Sequence, residues 1–404
     1  MEGNIYDVAI IGAGPAGASL AYFLSGFNLK VALIEKKKYA DTPVRCAELV
    51  PKAITQLYSD KIDGINNEVS QMETYIEGSL ANIIKSPGFI LDRNIFVDFL
   101  IKSFLKKGGT YLNSSTFLNA FYLDNSRQKH KSDLSVKLAE NSSRKFLSAN
   151  ILNGISIKVK QKDKIINLKT KILVGADGPN SAVAKIMNSF SDTDNKVQKK
   201  ILSGSCYIAG FQENLTKETN YENNTKIFFY PYLTCGYGWL FPKKSSINIG
   251  VAISMEAVKR DGLKNTYQRF KNELIKNNAI SGNEKQNGVI SGLVPVSGIS
   301  TEVVKDNVML IGDAAGLCNP ITGAGNFNAA VSAKIASEYI KKALSSSSLN
   351  VLKEADKEIN NFFNVSLSHG RSKRKMLEAN WTTNDFEGLI KKTWISFRDY
   401  WHER

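Results

Sequence analysis

Apolar positions along the chain fall into two alternating rhythms. From Asp7 to Glu35 an unbroken apolar run, VAII, meets a glycine turn, continues through a helix-length apolar segment and closes on a second run, VALI. That order predicts a buried strand, a turn, a helix and a second strand ending at Glu35, because strands covered on both faces read as continuous β-branched runs bounded by glycine. An irregular loop, PVRCAELVPKA, follows, with a short helix expected near Lys52 to Tyr58. GFILDRNIFVDFLIKSFLKKGGTYLN reads as a strand end, an amphipathic helix and another strand. Between residues 121 and 171, alternating segments such as LSVKLA and ISIKVKQ separated by polar runs predict a β-meander. KILVGADGPNSAVAKIM repeats strand, turn and helix.

Residues 200–292 mix strands (KIFFYPY, INIGVAI) with one helix around Met255 to Lys276 and predict a separate sheet domain. The segment from Val303 to Leu344 returns to strand, loop and long helix; the serine run Ser345 to Ser348 reads as a linker. Beyond it the pattern is helical. Phe386, Leu389, Ile390, Trp394, Phe397 and Trp401 recur at roughly helical spacing with Lys391, Lys392 and Arg398 nearby, a stripe suited either to the protein's own core or to the interface of an anionic membrane. The whole predicts an α/β fold. A Rossmann-like nucleotide-binding domain (1–72, 89–190, 292–345) is interleaved with a mixed-sheet substrate domain (73–88, 191–291) and followed by a helical C-terminal region (346–404).

Composition changes this picture little. The 404 residues, 43% of them hydrophobic, are enough to bury a substantial core. The four cysteines, Cys46, Cys206, Cys235 and Cys318, are scattered without metal-type spacing, which predicts reduced thiols, a cytoplasmic setting and no bound metal. A net charge of +15 fits an anionic partner or a lysine-rich background equally. The apolar stretch from Val8 to Phe27 lacks a basic segment before it and is broken by glycines, so neither an export signal nor a spanning helix is expected and any membrane contact would be peripheral, on the cytoplasmic face.

The chemistry lies at glycine-marked strand ends. Gly12, Gly14 and Gly17 form GxGxxG between a strand and a helix; these glycines suit a tight turn, close approach of backbone to a pyrophosphate and close helix packing. Glu35 at the next strand end could accept hydrogen bonds from ribose hydroxyls. A second strand end carries Ala176-Asp177-Gly178. A third carries Gly312-Asp313, followed by Gly316, Gly323 and Gly325 and a long helix. Three such ends in this order point to FAD rather than NAD, with backbone amides and a helix N-terminus facing phosphate or ring.

The trio GxGxxG, ADGxxS and GDAAGxxxPxxGxG resembles that of FAD-dependent oxidoreductases with the para-hydroxybenzoate-hydroxylase-like fold. Within that group PVRCAELVPKA, LDRNIFVDFL and YGWLFPK resemble geranylgeranyl reductases, particularly the archaeal type that saturates isoprenoid chains of membrane lipids; the likeness runs from about Asp7 to Leu344. The resemblance implies that Arg45, Cys46 and Ala47 sit beside the flavin, Arg93 beside its phosphates and Asp313 near its ribityl chain. Ala16, Lys36, Ala324 and Asn326 complete the expected cofactor set. Tyr237, Trp239 and Phe241 would line the substrate cavity, and alternation puts all three on one strand face, an aromatic wall suited to a prenyl chain or simply to a sheet core. Leu49 stands where the family usually has glycine, and Asn326 and Asn328 where small or apolar residues are usual.

The implied activity is saturation of a C=C bond in an isoprenoid lipid or prenyl diphosphate by hydride from reduced FAD, with electrons arriving transiently from NAD(P)H or a ferredoxin-like donor. Cys46 is the candidate proton donor, the alternative being a small thiol packed in the pocket. Two other classes stay open at this point: a flavin monooxygenase or halogenase acting on an aromatic substrate, and a non-catalytic basic flavoprotein binding nucleic acid, for which no recognition motif is present.

Overall fold

The computed structural model describes residues 5–123, 154–189, 207–216, 222–299 and 302–402. The first apolar run and its glycine turn form β1 (Ile5–Ile11), α1 (Pro15–Leu24) and β2 (Val31–Ile34). After the irregular loop come β3 (Leu49–Pro51), a 3-10 turn over Lys52–Leu57, and a long hairpin of β4 (Ile65–Ile76) and β5 (Ser79–Leu91). Then follow α2 (Arg93–Lys106), β6 (Thr110–Leu112), β7 (Ser115–Tyr122), β8 (Ile155–Gln161), β9 (Lys164–Gly175) and α3 (Ala182–Ser189). The LSVKLA segment lies outside the described residues.

The middle of the chain supplies β10 (Tyr207–Thr216), β11 (Asn224–Phe229), β12 (Tyr237–Pro242), β13 (Ser246–Ser254), α4 (Met255–Asp261), α5 (Leu263–Lys276) and β14 (Gln286–Pro295). The last part holds β15 (Val304–Lys305), β16 (Val308–Leu310), a 3-10 turn over Gly312–Ala315, α6 (Asn326–Ser345), α7 (Leu352–Asn380), α8 (Phe386–Thr393) and α9 (Arg398–His402). The single helix expected over Met255 to Lys276 is two, because Gly262 takes φ +77° and breaks the hydrogen-bond ladder there.

Two sheets of eight strands each organise these elements. The first runs β15-β16-β9-β1-β2-β6, with β7 and β8 attached beyond β9. Its centre is parallel, and Ile11, Gly175 and Leu310 stand in register with one another. All three glycine-marked ends therefore open at one edge of one sheet, the crevice where parallel sheets bind ligands. Val8 to Ile11 and Val31 to Ile34 are buried throughout, as expected of central strands covered on both faces.

The second sheet runs β14-β10-β13-β12-β11-β4-β5-β3. Strand pairing moves the expected domain seams: β3 and all of β4 and β5 belong to this sheet, so its first contribution starts well before residue 73 and passes 88, and β14 carries it to Pro295 rather than 291. The physical reason is that a strand commits to one sheet along its whole hydrogen-bonded length.

The C-terminal stripe packs on this second sheet. Phe386, Leu389, Ile390, Trp394 and Phe397 are buried in a cluster with Phe229, Trp239 and Phe241. The Trp394 ring lies 5.0 Å from Phe229 and 5.1 Å from Tyr237. Trp381 Nε1–H donates to the Pro231 carbonyl at 2.8 Å, and the hydroxyls of Thr74 and Ser396 bond at 2.9 Å. Burying each such side chain contributes about 1.5–3 kcal/mol, so the stripe is spent on the protein's own core. Of the residues in the stripe only Trp401 stays exposed, at 60%. Among the described residues no helix is long and apolar enough to cross a membrane.

Candidate active site

The glycine turn is shaped by contacts that leave one face open. A β-carbon on Gly12, whose φ is +97°, would lie 2.5 Å from the Ala176 carbonyl oxygen, and one on Gly17 would lie 1.9 Å from that of Gly12. A β-carbon on Gly14 would meet nothing within 4 Å, although its extended backbone, φ −73°, admits any residue. Gly12 and Gly17 thus serve packing, while Gly14 keeps the approach to the α1 N-terminus clear. Ala16 is buried here, close enough that a β-carbon on Gly312 would fall 2.8 Å from its methyl.

Glu35 does not hang free at the end of β2. Its Oε2 accepts from Ala13 N–H at 2.8 Å and its Oε1 from Lys37 N–H at 2.9 Å, tying the glycine turn to the neighbouring strand. Each carboxylate oxygen keeps a second lone pair for a ribose hydroxyl. Lys36 beside it is exposed.

Asp177 has a different task from the one its strand end suggests. It accepts from the Ser181 hydroxyl at 2.5 Å and from the backbone N–H groups of Ala182 at 2.6 Å and Val183 at 3.3 Å, so it caps α3. Gly178, with φ +79°, has open space where a β-carbon would stand. Asp313 is the contrasting case. Among the described residues no hydrogen bond reaches its carboxylate, burial pushes its pKa up, and a β-carbon on Gly325 would come within 2.9 Å of its Oδ1. Gly323 takes φ +65° in the loop between, where Ala324 N–H donates to the Thr322 hydroxyl at 3.2 Å.

These features fit FAD. A clear face at Gly14 on a helix N-terminus suits a pyrophosphate, and a half-buried carboxylate without a protein donor suits polyol hydroxyls. FAD is the cofactor of this fold, and α1, Glu35, Asp313 and the loop before α6 are the elements that would hold it. Gly14→Val is expected to leave the stability of the flavin-free protein unchanged and to weaken FAD binding about tenfold or more, since only the ligand would meet the new side chain. Titration of flavin-free protein with FAD measures this, and an unchanged dissociation constant would count against the assignment of Gly14.

The PVRCAELV loop crosses between the sheets and is held from both sides. Gln212 Nε2 on β10 donates to the carbonyls of Val44 at 3.2 Å and Cys46 at 3.0 Å. Arg45 is exposed and lies over Gly292, and Ala47 packs on the second-sheet cluster. Glu48 takes φ +69°, so the conformational freedom expected of a glycine at 49 is exercised one residue earlier and Leu49 can begin β3.

What keeps Glu48 in that conformation is a buried ionic lattice. Its Oε1 accepts from the Arg93 backbone N–H at 2.8 Å and its Oε2 from Lys243 Nζ at 2.5 Å, and Lys243 also reaches Asp92 at 3.0 Å. Burial lowers the pKa of Lys243, but the Glu48 and Asp92 carboxylates more than compensate and hold the ammonium protonated. Beside it, Arg93 makes a two-pronged bond to Asp41, Nε at 2.6 Å and the terminal nitrogen at 2.7 Å, and gives its other nitrogen to Asn326 Oδ1 at 3.2 Å. Asn326 Nδ2 in turn donates to Cys46 Sγ at 3.3 Å, and Glu48 N–H donates to the same sulfur at 3.2 Å.

Cys46, Arg93 and Asn326, expected near the flavin, are thus brought together. Asp41, Glu48, Asp92, Gln212 and Lys243 complete the arrangement without an assigned role at the sequence level; Glu48, Asp92 and Lys243 lie inside PVRCAELVPKA, LDRNIFVDFL and YGWLFPK, whereas Asp41 and Gln212 lie outside any motif. The aromatic wall forms as expected on β12, with ring centroids 6.1 Å apart from Tyr237 to Trp239 and 6.5 Å from Trp239 to Phe241. Trp239 Nε1–H donates to Asn248 Oδ1 at 2.7 Å, and the Tyr237 hydroxyl donates to the Thr322 carbonyl in the flavin loop. A small cavity borders the wall, lined by Phe229, Tyr237, Ile321, Arg374, Leu377 and Trp394 among others.

Residues 6–90 match the pyridine nucleotide-disulphide oxidoreductase family model and residues 152–341 the FAD binding domain model. The digeranylgeranylglycerophospholipid reductase of Methanococcus vannielii is 28% identical over 355 residues, 84% of this chain and 78% of that one. Digeranylgeranylglycerophospholipid reductase 3 of Methanosphaera stadtmanae is 29% identical over 361 residues, again 84% and 78%. Among solved structures, a geranylgeranyl bacteriochlorophyll reductase-like protein from Thermoplasma acidophilum superposes with a TM-score of 0.75 at 24% identity, covering 96% of this chain and 91% of that one. The flavin-dependent halogenase CmlS reaches 0.69 at 14% identity, covering 98% and 72%, so the fold by itself accommodates several flavin chemistries. Strand ends, cofactor cradle, loop motif and relatives agree: the chain has the fold of FAD-dependent oxidoreductases and is similar over most of its length to digeranylgeranylglycerophospholipid reductases.

Proposed function

We propose that this protein saturates C=C bonds in the isoprenoid chains of lipids or prenyl diphosphates. The observation that carries the reading is the position of Cys46, a half-buried thiol at the seam between the FAD-binding crevice and the apolar β12 sheet, fixed there by two hydrogen-bond donors. Bound and reduced FAD supplies the hydride. The chain's own residues do the rest: Tyr237, Trp239 and Phe241 offer an apolar face to a prenyl chain, and the packed C-terminal helices keep water from it. Cys46 gives the proton to the second carbon. Arg45, Ala47 and Arg93 shape the flavin side of the pocket. Gly12, Gly14, Ala16, Gly17, Glu35, Lys36, Asp177, Gly178, Gly312, Asp313, Gly323, Ala324, Gly325 and Asn326 frame the cofactor site.

Electrons reach the flavin from NAD(P)H or a ferredoxin-like donor in passing, since no second GxGxxG unit is present in the sequence. Contact with a membrane, if it delivers the lipid, is peripheral and on the cytoplasmic face. Incubating dithionite-reduced protein with geranylgeranyl lipids, alcohols and diphosphates without oxygen, followed by mass spectrometry, is expected to show the gain of one H2 per bond reduced. Failure to reduce any of the three classes, together with oxygen-coupled turnover of an aromatic compound, would replace this reading with a monooxygenase.

A further inference from the structure

We propose that Asn326 is a positioning residue for Cys46: it fixes the thiol and supports the negative charge that proton transfer leaves on sulfur. The proposal rests on the reading of Cys46 as proton donor. In that step the S–H bond breaks and a C–H bond forms. The electron pair of S–H stays on sulfur, one carbon takes the proton, the other takes hydride from the reduced cofactor, and water later restores the thiol.

The orientation of the Asn326 amide follows from its partners. Arginine has only donors, so the atom 3.2 Å from the Arg93 guanidinium is the carbonyl oxygen, and the NH2 group is left facing Cys46 Sγ at 3.3 Å. Arg93 cannot swing away, because Asp41 grips it with two bonds of 2.6 and 2.7 Å inside the protein. Glu48 N–H approaches the sulfur from its own turn at 3.2 Å. Both donors strengthen when the sulfur is charged, and Asn326 begins the 20-residue helix α6, whose N-terminus also favours negative charge. The other groups near the sulfur are Arg93 from α2, Tyr237 from β12 and Cys318 from the segment before α6, with Asp313 beside Cys318 in turn. The asparagine at 326 is thereby given a specific task.

The test uses the FAD-bound protein and needs no substrate. Iodoacetamide alkylation at neutral pH, followed on the Cys46 peptide by mass spectrometry, reads how readily the thiolate forms. Asn326→Ala is expected to slow alkylation about tenfold, the worth of one hydrogen bond to a charged group. Asn326→Asp keeps the shape and the Arg93 contact but turns an acceptor toward the sulfur, and is expected to slow it at least as much when the flavin-loaded fractions of variant and wild type are compared. Alkylation of either variant at or above the wild-type rate overturns the proposal, since a merely structural loss would loosen the loop and expose the thiol. Turnover separates the two readings: if Cys46→Ala reduces alkenes at the full rate, the proton-donor assignment fails, whereas the alkylation result still decides whether Asn326 holds the sulfur.

Discussion

Cys46→Ala is expected to lower kcat for double-bond reduction by about 10²–10⁴-fold while FAD stays bound, the usual contribution of a positioned general acid. An isolated alkene has no carbonyl to polarise, so the proton must come from a fixed group near the reacting carbon. The acids gathered at this seam differ in how readily they give one up. Burial pushes the Tyr237 phenol well above its ordinary value, and its hydroxyl is already engaged with the Thr322 carbonyl. Burial likewise pushes the Cys318 thiol up, with the Asp313 carboxylate adding to the effect. Cys46 Sγ receives two donors, the Glu48 N–H and the Asn326 amide, against the single Asn319 N–H at Cys318. The substitution removes no contact to Gly14, Glu35 or Asp313, so flavin content should persist. Anaerobic mixing of reduced protein with substrate, watching flavin reoxidation, measures the step; a rate near wild type would reduce Cys46 to a packing residue.

Lys243→Met should destabilise the protein by about 3–5 kcal/mol, the typical consequence of removing one partner from a buried ion pair. Glu48 is 3% exposed and Lys243 6%, and Lys243 is the strongest influence opposing the burial that raises the Glu48 pKa. Without the lysine that rise grows. The folded state then binds a proton more tightly than the unfolded chain does, so stability falls as pH increases from the ordinary carboxylate value toward the raised one. The deficit relative to wild type is accordingly smallest in acid and full at neutral pH. Denaturant melts across that range test the sign, and a deficit independent of pH would mean that the lattice acts through packing rather than charge. Because Glu48 also presents its N–H to Cys46 and its carboxylate to the Arg93 backbone, some loss of activity should accompany the loss of stability.

The cofactor half of this arrangement was legible in the sequence because its determinants are local. A glycine that must pack against the next strand, or leave room for phosphate, announces itself within a few residues, and Gly12, Gly14 and Gly17 do so. The bonds that hold the reacting loop are of another kind. Glu48 meets Lys243 across 195 positions and Cys46 meets Asn326 across 280, and no periodicity encodes which distant charge finds which. Asp177 carries a second signal besides its strand end, since an aspartate with serine four residues on, before an apolar run, also marks a helix start. Gly262 likewise marked a break that the surrounding helical pattern masked. For the C-terminal stripe, spacing revealed an apolar face, but only the aromatic rings of β11 and β12 decide what covers it.

That covering sets a boundary for anyone handling the protein. The matched FAD-binding segment stops at residue 341, yet Trp394 and its neighbours close over Phe229 and Tyr237 well beyond it. A version trimmed to the flavin-binding portion would lay a row of aromatic side chains bare to water, and such patches drive self-association. Expression trials should therefore carry the chain through α9, and sticky behaviour of shorter forms should be read as an exposed seam rather than as a failure of the nucleotide-binding half to fold.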